Sequence, residues 1–227
     1  MERVGDRLWS LTLAPDGHAG LAYRAGQFAW LRLDCSAFSP REHPFSIAAA
    51  PSDGAALRFL IKEAGDFTRQ IGGLPIGARA FVDGPHGALY LEGRREPGIF
   101  MIAGGAGLAP MLSMLREAAA RGETRPIKLL YGNRHEGQIM AAADLVALAV
   151  RLRLDLRHVL QEPPPGWAGF AGMMTPELIQ AEATRAAAEG WIFLLCGPGP
   201  MIRAAHQGLR ALGVPRRRIL EERFSVF

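Results

Sequence analysis

The stretch IFMIAGGAGLAPMLSML, residues 99–115, decides the architecture. It carries no charge and nears the length of a membrane span. Yet Gly104, Gly105, Gly107 and Pro110 stand in its middle, where one continuous helix would be broken. It reads instead as a buried strand, a glycine turn and the start of a helix that ends at Gly122. Such a unit belongs to a parallel sheet with helices on its faces.

Downstream the same rhythm repeats. PIKLLYG, LRLDLRHVLQ, WIFLLCG and ILEERFSVF read as strands. QIMAAADLVALAV, TPELIQAEATRAAAEG and GPMIRAAHQGLRALG read as helices, with Thr175 as an N-cap and Pro176 at a first helical position. Upstream the rhythm differs. RLWSLTLAP, QFAWLRLD, HPFSIAAA, ALRFLIKE and RAFVDGP are short strands between Gly, Pro, Asp and Ser, with a helical patch at 66–73. That pattern suggests a small antiparallel barrel. The expected fold is therefore two-domain: an antiparallel β-barrel over residues 1–95, then an α/β parallel-sheet nucleotide-binding domain over residues 96–227.

Composition narrows the function. Hydrophobic residues make up 49% of the 227 residues and charged residues 21%, enough to bury a core. The net charge of +4 is mostly dispersed arginine, with one dense run at Arg216-Arg217-Arg218. Clustered cations with interleaved aromatics are missing, so no nucleic-acid partner is expected. Cys35 and Cys196 are the only cysteines, far apart, with no metal-cluster spacing, so no metal site is expected. A chain with so few cysteines and no signal peptide suits a reducing compartment, and a cytoplasmic location is expected.

Three turns fall at carboxyl ends of the expected parallel strands, where such sheets bind ligands. AGGAGLAP offers Gly104, Gly105, Ala106, Gly107 and Pro110. Its glycines let backbone N–H groups approach a pyrophosphate at a helix N-terminus, although a tight turn without a ligand has the same local signature. CGPGPM adds Cys196, Gly197, Pro198 and Met201, with Cys196 at the strand end pointing into the crevice between the turns, a buried structural cysteine being the alternative. YGNR places Asn133 and Arg134 where a dinucleotide site often carries an acid. A guanidinium there suits a 2′-phosphate, and hence NADPH, while a plain surface arginine is the alternative.

The motifs HPFS, GDFT, DGPHG, IAGGAGLAP, CGPGPM and EERF, in this order, resemble the ferredoxin–NADP⁺ reductase superfamily over essentially the whole chain. They look most like the dehydrogenase portion of ferric reductases and NADPH oxidases. YGNR also resembles the reductase components of bacterial oxygenases.

The resemblance implies FAD as cofactor, NADPH or NADH as hydride donor, and an oxidoreductase that passes electrons to a one-electron acceptor. That acceptor would be a haem membrane domain, an iron–sulfur protein or a ferric chelate. If the chain is part of a longer ferric reductase, its place is the cytoplasmic face of a membrane. A sensing module that binds flavin or nucleotide without turnover is the alternative.

The resemblance also assigns residues. His43, at the position of the family's arginine, lies near the ribityl–pyrophosphate part of FAD. Pro44, Phe45, Ser46 and Ile47 continue that strand, with Phe45 along the flavin and Ser46 toward its reactive edge. Gly65, Asp66, Phe67 and Thr68 face the diphosphate, Thr68 as a hydroxyl cap. Ser46, Cys196 and Glu222 surround the point of hydride transfer. Phe224, or Phe227 beyond it, covers the flavin face.

Overall fold

The computed structural model describes residues 1–33, 36, 38, 40 and 42–223. In the first half, β1 (Glu2–Gly5), β2 (Leu8–Leu13) and β5 (Leu57–Lys62) form one antiparallel sheet. The strands β3 (Phe28–Leu33), β4 (His43–Ser46) and β6 (Ala80–His86) form a second, with β3 in the centre. An isolated bridge between Ile47 and Phe59 joins the two sheets into a barrel-like unit. In β3 the pattern FAWLRL alternates, and Ala29, Leu31 and Leu33 point into the barrel core with Ile47, Phe59 and Ile61. A short helix, α1 (Asp66–Gln70), follows β5.

The second half is a six-stranded parallel sheet. Its strands are β7 (Ile99–Gly104), β8 (Ile127–Asn133), β9 (Leu154–Leu160), β10 (Phe170–Ala171), β11 (Ile192–Gly197) and β12 (Ile219–Arg223), in the order β10-β9-β8-β7-β11-β12. Every residue of β7 and of β11 is buried. Helices on both faces explain that: a parallel sheet covered twice needs continuous apolar strands rather than alternating ones.

On one face lie α2 (Leu108–Ala120) and α3 (Ala142–Arg151). Their core includes Leu112, Leu115, Leu145 and Tyr131, and Leu8, Ala48, Leu60 and Leu89 of the first half join it. The two halves thus share one apolar core. On the other face α4 (Pro176–Ala188) and α5 (Gly199–Ala211) pack through Ile179, Ala183, Ile202 and Leu209 against Phe100, Ile102 and Phe193. Thr175 caps α4 as expected, its Oγ1 accepting from the Leu178 N–H at 3.3 Å.

Three differences from the sequence reading have local causes. The strand β1 is short and lies at an edge, and β10 is only two residues long, so neither carries a readable period. The helix expected from Gln138 begins instead at Ala142. Glu136–Gln138 forms a 3-10 turn, and Ala141 takes φ +51°, which interrupts any earlier helical run.

Candidate active site

The chain leaves β7 to one side of the sheet, toward β8 and β9, and later returns to β11 on the other side. The β7/β11 junction is therefore a topological switch point, and both glycine turns lie at its carboxyl edge. They touch directly. A Cβ on Gly107 would lie 2.1 Å from the Cys196 carbonyl oxygen. A Cβ on Gly104 would lie 2.7 Å from Met201 Sδ and 2.8 Å from the Pro198 ring. Glycine is required at both places because backbone and side chain from the opposite turn fill the space. Tyr131 adds a brace absent from the sequence reading. Its buried hydroxyl donates to the Gly105 carbonyl (3.3 Å) and accepts from the Met140 N–H (3.2 Å), and burial pushes it up to about 12. A tyrosine in an otherwise aliphatic strand was the available signal.

Pro110 occupies the first turn of α2, where its missing N–H costs no helical hydrogen bond. Ala106 is partly buried against the core. For Cys196 the buried alternative holds. The side chain does not open into the crevice: it has no exposed surface and packs with Ala103, Leu108 and Leu194. Burial, and then the nearby Glu222 carboxylate, push its thiol well above the usual range, so it stays protonated. Glu222 faces Cys196 across the β11–β12 pairing, and burial raises its carboxyl. Glycine at position 87 leaves room for it, since a Cβ there would meet Glu222 Oε2 at 3.0 Å. Phe224 and Phe227 lie outside the described residues.

On the barrel, Ser46 ends β4 at 4% exposure, and its buried Oγ has no hydrogen-bond partner. An orphaned buried hydroxyl costs free energy unless a ligand satisfies it. The residue thus fits a flavin whose reactive edge carries hydrogen-bonding atoms. His43 stacks on Phe67 with ring centroids 3.8 Å apart, and Phe45 lies 6.3 Å from the same ring. These three aromatics bring β4 and α1 together. Burial lowers the His43 imidazole below its ordinary range. Pro44 is partly exposed beside them.

Two barrel assignments are corrected. Ile47 is fully buried in the barrel core, and its N–H donates to the Gln27 carbonyl, so its side chain serves the core rather than the cofactor face. Thr68 caps α1 from inside the helix rather than as the N-cap residue. Gly65 is the N-cap, the helix starts at Asp66, and Thr68 Oγ1 accepts from the Ala64 and Gly65 N–H groups at 2.8 and 3.0 Å. A hydroxyl three residues into the helix folds back on the turn, a pattern a local reading cannot separate from an N-cap residue.

The third turn also differs. Arg134 pairs with Glu162, its Nε 2.8 Å from Oε1, rather than with the nearby Glu136. Asn133 is buried; the Tyr131 hydroxyl lies near its amide, yet neither amide atom makes a hydrogen bond of proper geometry. Beside this edge a cavity of about 790 Å³ is lined by Glu136, His158, Pro164, Trp167 and Phe170. A second cavity of about 860 Å³ lies at the opposite, C-terminal end of α2. Its charged groups pair among themselves, Arg24 with Glu92 at 2.6 Å and Arg121 with Glu117 at 2.5 Å.

Comparison with known proteins agrees with this geometry. Residues 10–89 match the model of an FAD-binding domain, and residues 101–207 that of an oxidoreductase NAD-binding domain. The chain belongs to the ferredoxin–NADP⁺ reductase superfamily. The chain has both the FAD-binding and the NAD-binding domain.

Among its relatives is NADH-cytochrome b5 reductase 1 of Cryptococcus neoformans var. neoformans serotype D (strain JEC21 / ATCC MYA-565). It is 32% identical over 162 residues, covering 67% of this chain and 55% of the relative. The reductase component of propane 2-monooxygenase from Rhodococcus jostii (strain RHA1) is 32% identical over 235 residues, covering 95% of this chain and 59% of the relative. The chain thus spans little more than half the length of these relatives. The cytochrome b5 reductase domain of Ulva prolifera nitrate reductase shares the fold, with a TM-score of 0.81 at 22% identity, covering 97% of this chain and 93% of that one. No helix among the described residues is long and apolar enough to cross a membrane.

Proposed function

We propose that this superfamily member is an electron-transfer reductase: residues 1–95 hold FAD, residues 96–227 bind NAD(P)H, and a partner protein takes the electrons. The observation that carries the reading is the interlock of Gly104 and Gly107 with Cys196–Met201 at the β7/β11 switch point. Bound FAD would supply the redox chemistry, taking a hydride from the nicotinamide and releasing electrons one at a time.

The chain's own residues do the positioning. Ser46 offers its unpartnered hydroxyl to the flavin edge. Phe45, Phe67 and His43 form the aromatic wall between β4 and α1, and Gly65 with Asp66 opens α1 toward the diphosphate. The two interlocked turns set where the dinucleotide lies. Glu222, half-buried and with its carboxyl raised by burial, stands beside the transfer point. Cys196 acts from behind, as packing that keeps the β11 turn in place. Phe224 remains our choice for covering the flavin face.

For the acceptor we favour a haem or iron–sulfur protein over a ferric chelate, because relatives named as cytochrome b5 reductase and as a monooxygenase component are both similar to this chain. We place the reaction in the cytoplasm.

The visible spectrum of the purified protein tests the core of this reading. A flavin spectrum that bleaches under anaerobic NADH or NADPH is expected, and heat-released cofactor should chromatograph as FAD. Bound flavin that neither nucleotide bleaches would favour a sensing module, and FMN or no flavin would overturn the cofactor assignment.

A further inference from the structure

We infer that Glu162 sets the dinucleotide preference and that the chain favours NADH over NADPH; this rests on the nucleotide-binding reading above. Strands β8 and β9 are parallel neighbours, and their carboxyl ends reach the same edge. Beyond those ends the two chains stay joined. The Gln161 N–H donates to the Asn133 carbonyl at 3.1 Å, and the Glu162 N–H donates to the Arg134 carbonyl at 2.8 Å. The backbone therefore fixes Glu162 beside Arg134. The side chains then meet, Arg134 Nε donating to Glu162 Oε1 at 2.8 Å, with both more than half exposed.

An arginine that reads a 2′-phosphate must offer its guanidinium to the ligand. This guanidinium is shared with a carboxylate, and the pair is neutral. A 2′-phosphate brings close to two negative charges, so it would have to displace Glu162 or lie against it. Free ribose hydroxyls meet the opposite situation. They are donors, and a carboxylate with one oxygen held by Arg134 keeps acceptor capacity on the other. An acid accepting from a ribose hydroxyl is the usual NAD arrangement at such a sheet edge.

The neighbours do not reverse this. Asn133 is buried, and Glu136 adds a second carboxylate at the mouth of the adjoining cavity. Lys62 has its ammonium disfavoured first by burial, then by Arg7 and least by Arg134, and it donates to Gln138 Oε1 at 3.1 Å. Arg134 and Glu162 act as one unit: the acid selects the hydroxyls, and the arginine holds the acid in position.

The pair is exposed and solvent screens it, so the preference is modest, on the order of tenfold. The test uses the flavin-loaded protein, with isothermal titration of NAD⁺ and NADP⁺ and kcat/KM for NADH and NADPH with ferricyanide as acceptor. Wild type should bind NAD⁺ about tenfold more tightly than NADP⁺ and show the same bias in kcat/KM. Glu162→Gln frees Arg134 and should shift both ratios toward the phosphorylated nucleotide by about tenfold or more. Adding Arg134→Ala to that variant should remove the gain. A wild-type preference for NADP(H), or ratios that Glu162→Gln leaves unchanged while both nucleotides still bind, would overturn the inference alone. Wild type that binds neither nucleotide would overturn the parent reading, and this inference with it.

Discussion

His43 and His158 are both held below the ordinary imidazole range by burial. The folded state then takes up protons at lower pH than the unfolded chain. Stability is fully present above an unfolded pKa of about 6.5 and is lost as pH falls from there toward the folded values. We expect the flavin-free protein's Tm to fall between pH 7 and 5, and His158→Gln to flatten that limb. An acid limb identical in the variant would show that His158 contributes nothing. His43 should behave differently once FAD is present. A diphosphate near it would favour the protonated ring, so FAD affinity should rise as pH drops through the imidazole range. His43→Arg should flatten that dependence in a fluorescence titration, and a wild-type affinity with no pH dependence would move His43 away from the phosphates. Such residues show what a local reading can and cannot reach. Strand alternation alone makes HPFS no more than a strand start, and only the family resemblance points to His43 and Ser46. The burial of Ser46 Oγ, the stacking of His43 on Phe67 and the enclosure of Cys196 depend on neighbours brought by other elements.

At the scale of elements, strand and helix periods were readable because β7, β11 and the helices between them carry long apolar runs with glycine breaks. The contact between the two glycine turns was not, since they lie about ninety residues apart in sequence and meet only through the β7–β11 pairing. The Arg134–Glu162 pair was hidden for the same reason, since the two residues follow different strands. Two neighbouring glycines give a sharp test of the interlock. Gly105 has φ +52° and open space around its Cβ position, so Gly105→Ala should cost only the left-handed conformation, about 1 kcal/mol. Gly107→Ala must push the Cys196 carbonyl away from the start of α2, and overpacking of that kind costs about 1–3 kcal/mol or more. Chemical denaturation of both variants should rank them in that order, and Gly107→Ala should also weaken dinucleotide binding. Equal losses would mean that the turns do not press on each other.

The whole molecule depends on how the two halves are held. Apolar contact is one part, with Leu8, Ala48, Leu60 and Leu89 sharing the α2 core. Apolar contact is not directional, so it does not by itself fix the angle between the halves. A polar clamp adds direction. Arg116 on α2 donates to Asp53 of the barrel half at 3.0 Å and to Asp144 on α3 at 2.7 Å. Arg58 on β5 reaches the same Asp144 oxygen at 3.5 Å. The buried Ser113 hydroxyl donates to the Ala49 carbonyl at 2.6 Å, and the Ser52 N–H donates to Glu117 Oε2 at 3.0 Å. The Ala49–Asp53 segment and α3 thus both converge on α2, and β5 joins through Asp144. Hydride transfer needs the nicotinamide and flavin rings in register, and each ring belongs to a different half, so a small misalignment costs rate more than it costs either affinity. Arg116→Met keeps the aliphatic packing but removes both ion pairs. These groups are partly exposed, so the stability loss should be small. We expect FAD affinity to change by less than about twofold while flavin reduction at saturating nucleotide slows by about tenfold or more, read by stopped-flow absorbance. Conservative repair at the same point separates register from charge. Arg116→Lys can still reach one carboxylate, though not both in fixed geometry, and should recover only part of the rate. A rate unchanged in Arg116→Met, with affinity intact, would assign alignment of the halves to the apolar core alone.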